Sequence, residues 1–155
     1  MCGNGGRCIV GFAKRIGIIN ESAIFSAIDG AHHAKVKNDW VELRMSNVEA
    51  VKINKNNIVL NTGSPHYVTL CSDLKKINVN LRGREIRNSE MFIDEGINVN
   101  FVEVVNSNTF SIRTYERGVE NETFSCGTGA TATAISMHAI KKTDDHTVNI
   151  CLLYT

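Results

Sequence analysis

The sequence predicts an α+β fold of two similar lobes, each wrapping strands around one central helix. Two observations support this reading. A short motif occurs twice, as Cys2-Gly3-Asn4-Gly5-Gly6 and as Cys126-Gly127-Thr128-Gly129-Ala130, 124 positions apart, and each copy runs into a segment of helical character. Between the copies the apolar pattern shifts to the two-residue period of strands, broken by turn residues, and one more strand-like segment follows the second helix.

The elements follow in order. Ile9, Phe12, Ala13 and Ile16 fall at i, i+3, i+4 and i+7, one apolar stripe on a helix over residues 5–18. Strands at 23–28 and 32–37 flank Asp29-Gly30, a hairpin turn signal. Asn38-Asp39 offers the next turn, before 40–45, where Val41, Leu43 and Met45 alternate with Glu42 and Arg44. Further strands are expected at 48–53, 58–61 and 66–71, the last entered through the turn Gly63-Ser64-Pro65-His66. The stretch 74–88 is polar and irregular, with Ser72-Asp73 placed to cap a turn and 81–87 able to form a short helix. Strands resume at 97–105 and 109–116, joined by Asn106-Ser107-Asn108. The second motif opens a helix over 127–142, whose Ala130, Ala132, Ala134 and Ala139 predict close enclosure by other elements. Residues 146–154 read as a final strand.

Composition narrows the function classes. Hydrophobic residues at 43% and charged residues at 21% describe an ordinary folded chain. The 17 basic and 16 acidic residues are interspersed, so no basic patch points to nucleic acid or an anionic membrane as partner. No apolar run approaches the length of a bilayer span, and the cytoplasm is the expected compartment. Five cysteines without paired spacing do not read as a disulfide framework, and no Cys/His spacing suggests a metal. Met1 and Cys2 enter a glycine motif with no strand before it, where a reactive site would fray. The natural protein is therefore expected to start further upstream.

The candidate chemistry begins with the two cysteines. A cysteine at a helix start sits at the positive end of the helix dipole, which favours the thiolate. The glycines after it let backbone N–H groups approach an anion closely. Either cysteine alone could simply pack or cap, but the repeated Cys-Gly-x-Gly context argues against that for the pair. Two such thiols suit removal of a proton from one face of a carbon and its return to the other. Cys8, Cys71 and Cys151 lie in apolar or strand-like settings and read as inert core. Arg117, in Tyr115-Glu116-Arg117-Gly118, is suited to clamp a carboxylate with two parallel bonds, or else to a surface ion pair. Glu116 can accept a proton or an ammonium group, or be solvated. His66 follows the Pro65 turn, where a lone histidine is more often structural. Asn98 and Asn100 are unusual in a strand and either face solvent or line a site. His32, His33, His138 and His146 have no motif context and are read as non-catalytic.

Four blocks together resemble diaminopimelate epimerase and occur in that family's order: residues 1–8, Gly63-Ser64-Pro65-His66-Tyr67-Val68, Asn98-Val99-Asn100-Phe101-Val102, and Tyr115-Glu116-Arg117-Gly118 leading into Ser125-Cys126-Gly127-Thr128-Gly129-Ala130. The resemblance implies a cofactor-independent enzyme interconverting LL- and meso-diaminopimelate. It implies two pseudo-symmetric lobes, each a curled antiparallel sheet around a central helix, with the active site between them. On this mapping Cys2 and Cys126 are the two acid/base residues, and His66 and Glu116 assist them. Backbone N–H groups near Gly3 and Asn4 and near Gly127 and Thr128 would hold the reacting carboxylate. Arg117 would bind the distal carboxylate, while Glu116 and Asn98 fix the distal amino acid centre. Ser64 stands where many members carry asparagine, and the loop 118–123 is slightly longer than in some members.

The resemblance also implies a substantial segment before the first cysteine and a further stretch after the region where this sequence ends. Residues 1–46 then map to a partial N-terminal lobe and 47–155 to most of the C-terminal lobe. Such a piece is expected to have little activity by itself and, with unpaired edges and an exposed central helix, to self-associate. The substrate is a small diamino acid, no metal or cofactor is implied, and the full-length protein is compatible with a homodimer. Two alternatives stand beside this reading. One is a proline-racemase-like enzyme, which also uses two opposed cysteines; the other is a truncated, non-catalytic anion-binding or thiol protein.

Overall fold

Cys2 and Cys126 both lie in extended backbone (φ −87°, ψ 113° and φ −127°, ψ 103°), and each caps a helix of 13 residues. These helices are α1, Gly3–Arg15, and α3, Gly127–Ala139, with Ile16 and Ile140 closing them at matching positions. The repeated motif is thus realised as a repeated structure. The computed structural model describes residues 1–152 and divides into two units, Met1–Asn47 and Val48–Thr155. Mixed sheets with helices give the α+β class expected from the sequence.

In the first unit, α1 packs on an antiparallel sheet of β1 (Ser22–Ala27), β2 (Gly30–Lys37) and β3 (Trp40–Leu43). Its core is Val10, Ala34 and Val36, with Phe25, Val41 and Leu43 packed against them. The helix has the predicted period but buries a different face. Gly3, Gly6 and Val10 are buried, whereas Ile9, Phe12 and Ile16 of the apolar stripe are 57%, 59% and 51% exposed. The glycine side is the one that lies against this sheet, where the backbone comes close. A Cβ on Gly6 would stand 3.1 Å from Leu43, Phe25 and Met1 side-chain atoms. The first hairpin turn is one residue earlier than expected. Ala27 pairs with Gly30, so Ile28-Asp29 make the turn, and Gly30 opens β2 at φ 115°.

The second unit holds a sheet in the order β10-β8-β7-β6-β5-β4, formed by β4 (Val51–Ile53), β5 (Ile58–Asn61), β6 (Pro65–Leu70), β7 (Asn98–Val104), β8 (Thr109–Glu116) and β10 (Asn149–Leu152). A further strand, β9 (Asn121–Thr123), pairs with the end of β8 where the sequence suggested only a loop. The sheet is mixed, not purely antiparallel as the resemblance implied. β6 pairs with β7, and β8 with β10, in parallel. Each parallel pair is joined by a connection containing a helix, long enough to carry the chain back across the sheet. The first of these contains α2 (Val79–Arg87), started by the Asn78 side chain accepting from Leu81 N–H at 3.1 Å. The last predicted strand begins at Asn149 and is described as far as Leu152; its final two residues, 153 and 154, lie outside the described residues.

The sheet has an apolar layer on each face. Ile58, Leu60, Val68, Val102, Phe110 and Ile112 pack with Ala132 and Met137 of α3. Leu74, Val79, Ile97, Val99, Phe101 and Tyr115 form the opposite layer, against which α2 lies. Alternation along β7 therefore turns Asn98, Asn100 and Val102 to the α3 side. Val102 meets the body of the helix, while the asparagines lie toward its start. Both are buried, at 4% and 0% exposure, so of the two readings left open they do not face solvent.

Candidate active site

The start of α3 stands over a set of polar side chains delivered by adjacent strands. His66 and Asn98 are in register across β6 and β7, and Asn100 and Thr114 across β7 and β8. Cys126 is 6% exposed, and its Sγ lies 3.4 Å from Thr128 Oγ1. The Thr62 hydroxyl donates to the Thr128 carbonyl at 2.9 Å and so pins the first turn of α3 to the residues after β5. A Cβ on Gly129 would stand 2.4 Å from Asn100 Oδ1 and 3.3 Å from Cys126 Sγ. Only glycine lets the thiol and the strand residue flank that point. The Ala130 N–H donates to the Cys126 carbonyl at 2.9 Å, which starts the helix. The N–H groups of a first helical turn have no intrahelical acceptor, and in α3 they belong to the residues that follow the thiol.

His66 is fully buried. Burial, then the positive charge of Arg117, pushes its pKa down to about 3, so the imidazole is neutral at physiological pH. Its Nδ1 lies 3.0 Å from Asn100 Nδ2, while its Nε2 is buried with no hydrogen-bond partner.

Ser64, Asn98 and Arg117 form one chain of bonds. Asn98 Nδ2 donates to Ser64 Oγ at 2.8 Å, and Asn98 Oδ1 accepts from the Arg117 backbone N–H at 3.0 Å. The Arg117 guanidinium donates to the Glu95 carbonyl at 2.6 Å, leaving other donors of its fork for a ligand. Glu116 accepts a hydrogen bond from the Thr123 hydroxyl, which ties it to β9. Cys126, Gly127, Thr128, Ser64, His66, Asn98, Glu116 and Arg117 thus all belong to the second unit, at the end of the sheet where β6 and β7 begin and β8 finishes.

Cys2, Gly3 and Asn4 belong to the first unit. Cys2 Sγ accepts from Gly5 N–H at 3.4 Å, and Gly6 N–H donates to the Cys2 carbonyl at 2.9 Å, the counterpart of the Ala130 bond in α3. Cys2 is exposed and Cys126 is buried. Cys8 and Cys151, read as core from the sequence, are exposed, and Cys71 is half-buried. Both misread residues sit on the outward side of an amphipathic element, which apolar neighbours in sequence do not reveal.

Thr62 and Thr114 carried no sequence signal, because threonines abound in strands and only the fold shows these two turned inward. Asn100 did carry one: an asparagine two residues after another in a strand is disfavoured unless its amide is satisfied.

The family model for Diaminopimelate epimerase matches residues 58–153. Among curated relatives, a diaminopimelate epimerase of Flavobacterium psychrophilum is 53% identical over 151 residues, covering 97% of this chain and 59% of that protein. A diaminopimelate epimerase of Aquifex aeolicus is 41% identical over 145 residues, covering 87% of this chain and 52% of that protein. The chain therefore spans between half and three fifths of the length of these relatives. Among solved structures, a probable proline racemase from Agrobacterium radiobacter K84 superposes with a TM-score of 0.67 at 14% identity, over 96% of this chain and 55% of that one. A hydroxyproline epimerase from Agrobacterium vitis gives 0.63 at 15% identity, over 94% and 54%. At these identities the two structures establish a shared fold only. With matched cysteine-capped helices in that fold and relatives this similar along nearly its whole length, the chain belongs to the diaminopimelate epimerase family.

Proposed function

We propose that the protein acts as a cofactor-independent epimerase interconverting LL- and meso-diaminopimelate, on the route to lysine and the peptidoglycan diamino acid, with Cys2 and Cys126 as its two thiols. The observation that supports this most is the pair of cysteines, Cys2 and Cys126, each starting a 13-residue helix in extended backbone in a chain of this family. In the proposed reaction one sulfur, as thiolate, takes the α-proton. The electron pair left on the α-carbon spreads into the neighbouring carboxylate. The other sulfur, as thiol, delivers its proton to the opposite face, so the thiol and thiolate exchange places and no electron is gained or lost. Backbone N–H groups of Gly3 and Asn4 and of Gly127 and Thr128 stabilise the charge that builds on that carboxylate. Arg117 binds the distal carboxylate, and Ser64, Asn98 and Glu116 hold the distal amino acid centre. Glu116 and His66 assist the thiols. The whole protein works in the cytoplasm and is compatible with a homodimer.

The test is α-proton exchange in heavy water, followed by mass spectrometry of LL-diaminopimelate, with the whole protein of which this sequence is part. Deuterium incorporation is expected, with Cys2→Ala and Cys126→Ala each reducing turnover by roughly 10²–10⁴-fold. Exchange on proline or hydroxyproline but not on diaminopimelate would move the protein to the activities named for its structural neighbours. Exchange that survives both substitutions would remove the two-thiol mechanism.

A further inference from the structure

The polar cluster under α3 contains one group that the two-thiol scheme leaves undefined, which is the proton on His66. Three bonds settle it. Asn100 Nδ2 lies 3.1 Å from the Tyr67 carbonyl, an acceptor only, so the NH2 end of the amide must face that way. The Thr114 hydroxyl donates to Asn100 Oδ1 at 3.0 Å and fixes the opposite end. The second N–H of the same NH2 then reaches His66 Nδ1 at 3.0 Å. An amide oxygen turned toward Nδ1 would favour a proton there and a charged ring, but it would also set two acceptors, the amide and Tyr67 oxygens, against each other. All three residues other than Tyr67 are buried, at 0% for His66 and Asn100 and 3% for Thr114, so water cannot reverse the arrangement.

We propose that Asn100 is a positioning residue whose side-chain amide holds His66 with Nδ1 as acceptor and the proton on Nε2, so that His66 serves the site as a hydrogen-bond donor to an anion and not as a base. This rests on the functional reading above and adds the direction of the proton at one of its assisting residues. The ligand is indicated by an independent observation. His66 Nε2 is completely buried and has no hydrogen-bond partner, so its desolvation is uncompensated unless a ligand or a neighbouring anion accepts from it. A neutral ring with its proton on Nε2 cannot take a proton there. It can stabilise negative charge, on the Cys126 sulfur or on a substrate carboxylate. Gly129 keeps the space beside Asn100 Oδ1 and Cys126 Sγ clear, so the amide stays in place without a side chain pressing on it.

The experiment is a two-bond 1H–15N correlation spectrum of the protein labelled with 15N-histidine, with His66→Gln to assign the ring. Nδ1 is expected at the position of an unprotonated nitrogen, and Nε2 at that of a protonated one, from about pH 5 to 8. A proton on Nδ1, or a charged ring in that range, overturns the proposal. Asn100→Ala is expected to mix the two tautomers, with Nδ1 partly protonated; an unchanged spectrum would remove Asn100 from the role. If Asn100→Ala does not fold, Thr114→Val, which frees the other end of the amide, takes its place, and the parent spectrum decides the tautomer by itself. A shift of the Nε2 proton that follows thiol titration and is lost in Cys126→Ala identifies the sulfur as acceptor. A shift only on adding diaminopimelate identifies the carboxylate. The absence of both shifts overturns the donor role. Protein that keeps the Nε2 proton but fails in the exchange assay retains this inference and loses the activity; active protein with a proton on Nδ1 does the reverse.

Discussion

A buried neutral histidine ties the chemistry of the site to the stability of the second unit. In the unfolded chain His66 titrates near 6.5; in the folded chain it binds a proton only near 3. Between those values the unfolded state holds the extra proton, so stability falls as the pH is lowered through the window and is restored as it rises. From pH 7 to pH 5 this amounts to about 2 kcal/mol. His66→Gln removes the titrating group but not the acid response of the carboxylates. Urea unfolding of both proteins at the two pH values is therefore expected to show the parent losing more stability than the variant. Parallel losses would mean that His66 is protonated in the folded state at pH 5. The same burial made the residue hard to read from sequence. A histidine after a Gly-Ser-Pro turn gives no sign that two strands and a helix will enclose it.

At the scale of elements, close approach decides what each helix can tolerate. On α2, a Cβ at Gly83 would fall 2.4 Å from Tyr115 Cβ and 2.5 Å from its Cγ, and Tyr115 is fully buried in β8. Gly83→Ala must push α2 off the sheet, at a cost of roughly 1–3 kcal/mol or more. In α1, a Cβ on Gly11 meets nothing nearer than 3.7 Å, so Gly11→Ala is expected to be neutral or to stabilise by up to about 1 kcal/mol through helix propensity. Thermal unfolding separates the two, and equal effects would refute the packing argument. Arg113 binds both oxygens of Glu122 at 2.6 Å and the carbonyls of Leu74 and Ile77 at 3.0 Å, joining β8 to β9 and to the turn before α2. Lysine cannot reproduce that fork, and Arg113→Lys is expected to cost about 1–3 kcal/mol in urea unfolding. A change within a few tenths would show that the fork adds little. β9 itself was invisible in the sequence, because Asn121–Thr123 pairs through backbone bonds in a polar segment with no apolar alternation.

For the molecule as a whole, what local pattern could and could not specify differs between the two helices. The paired motifs placed the start of α3 at Gly127 and that of α1 within two residues, at 5 against Gly3, because capping depends on neighbours in sequence. The buried face of α1 depends instead on which side the sheet of its unit lies, a long-range fact. Ile9, Phe12 and Ile16 consequently form an exposed apolar row on α1, accompanied in the same unit by Ile24 and Trp40 at 69% and 79% exposure. Water-exposed apolar side chains grouped in this way favour association. Phe12→Lys and Ile16→Lys should therefore lower light scattering and dye binding to exposed apolar surface at a given protein concentration. They should leave the unfolding temperature within about a degree or two, since neither residue is buried. Val10→Ala, on the opposite face at 2% exposure, should do the converse, costing roughly 1–3 kcal/mol without reducing association. If instead Phe12→Lys unfolds the chain and Val10→Ala is silent, the helix presents its stripe to the sheet after all, and the orientation of α1, with the placement of the Cys2 motif that depends on it, would have to be redrawn.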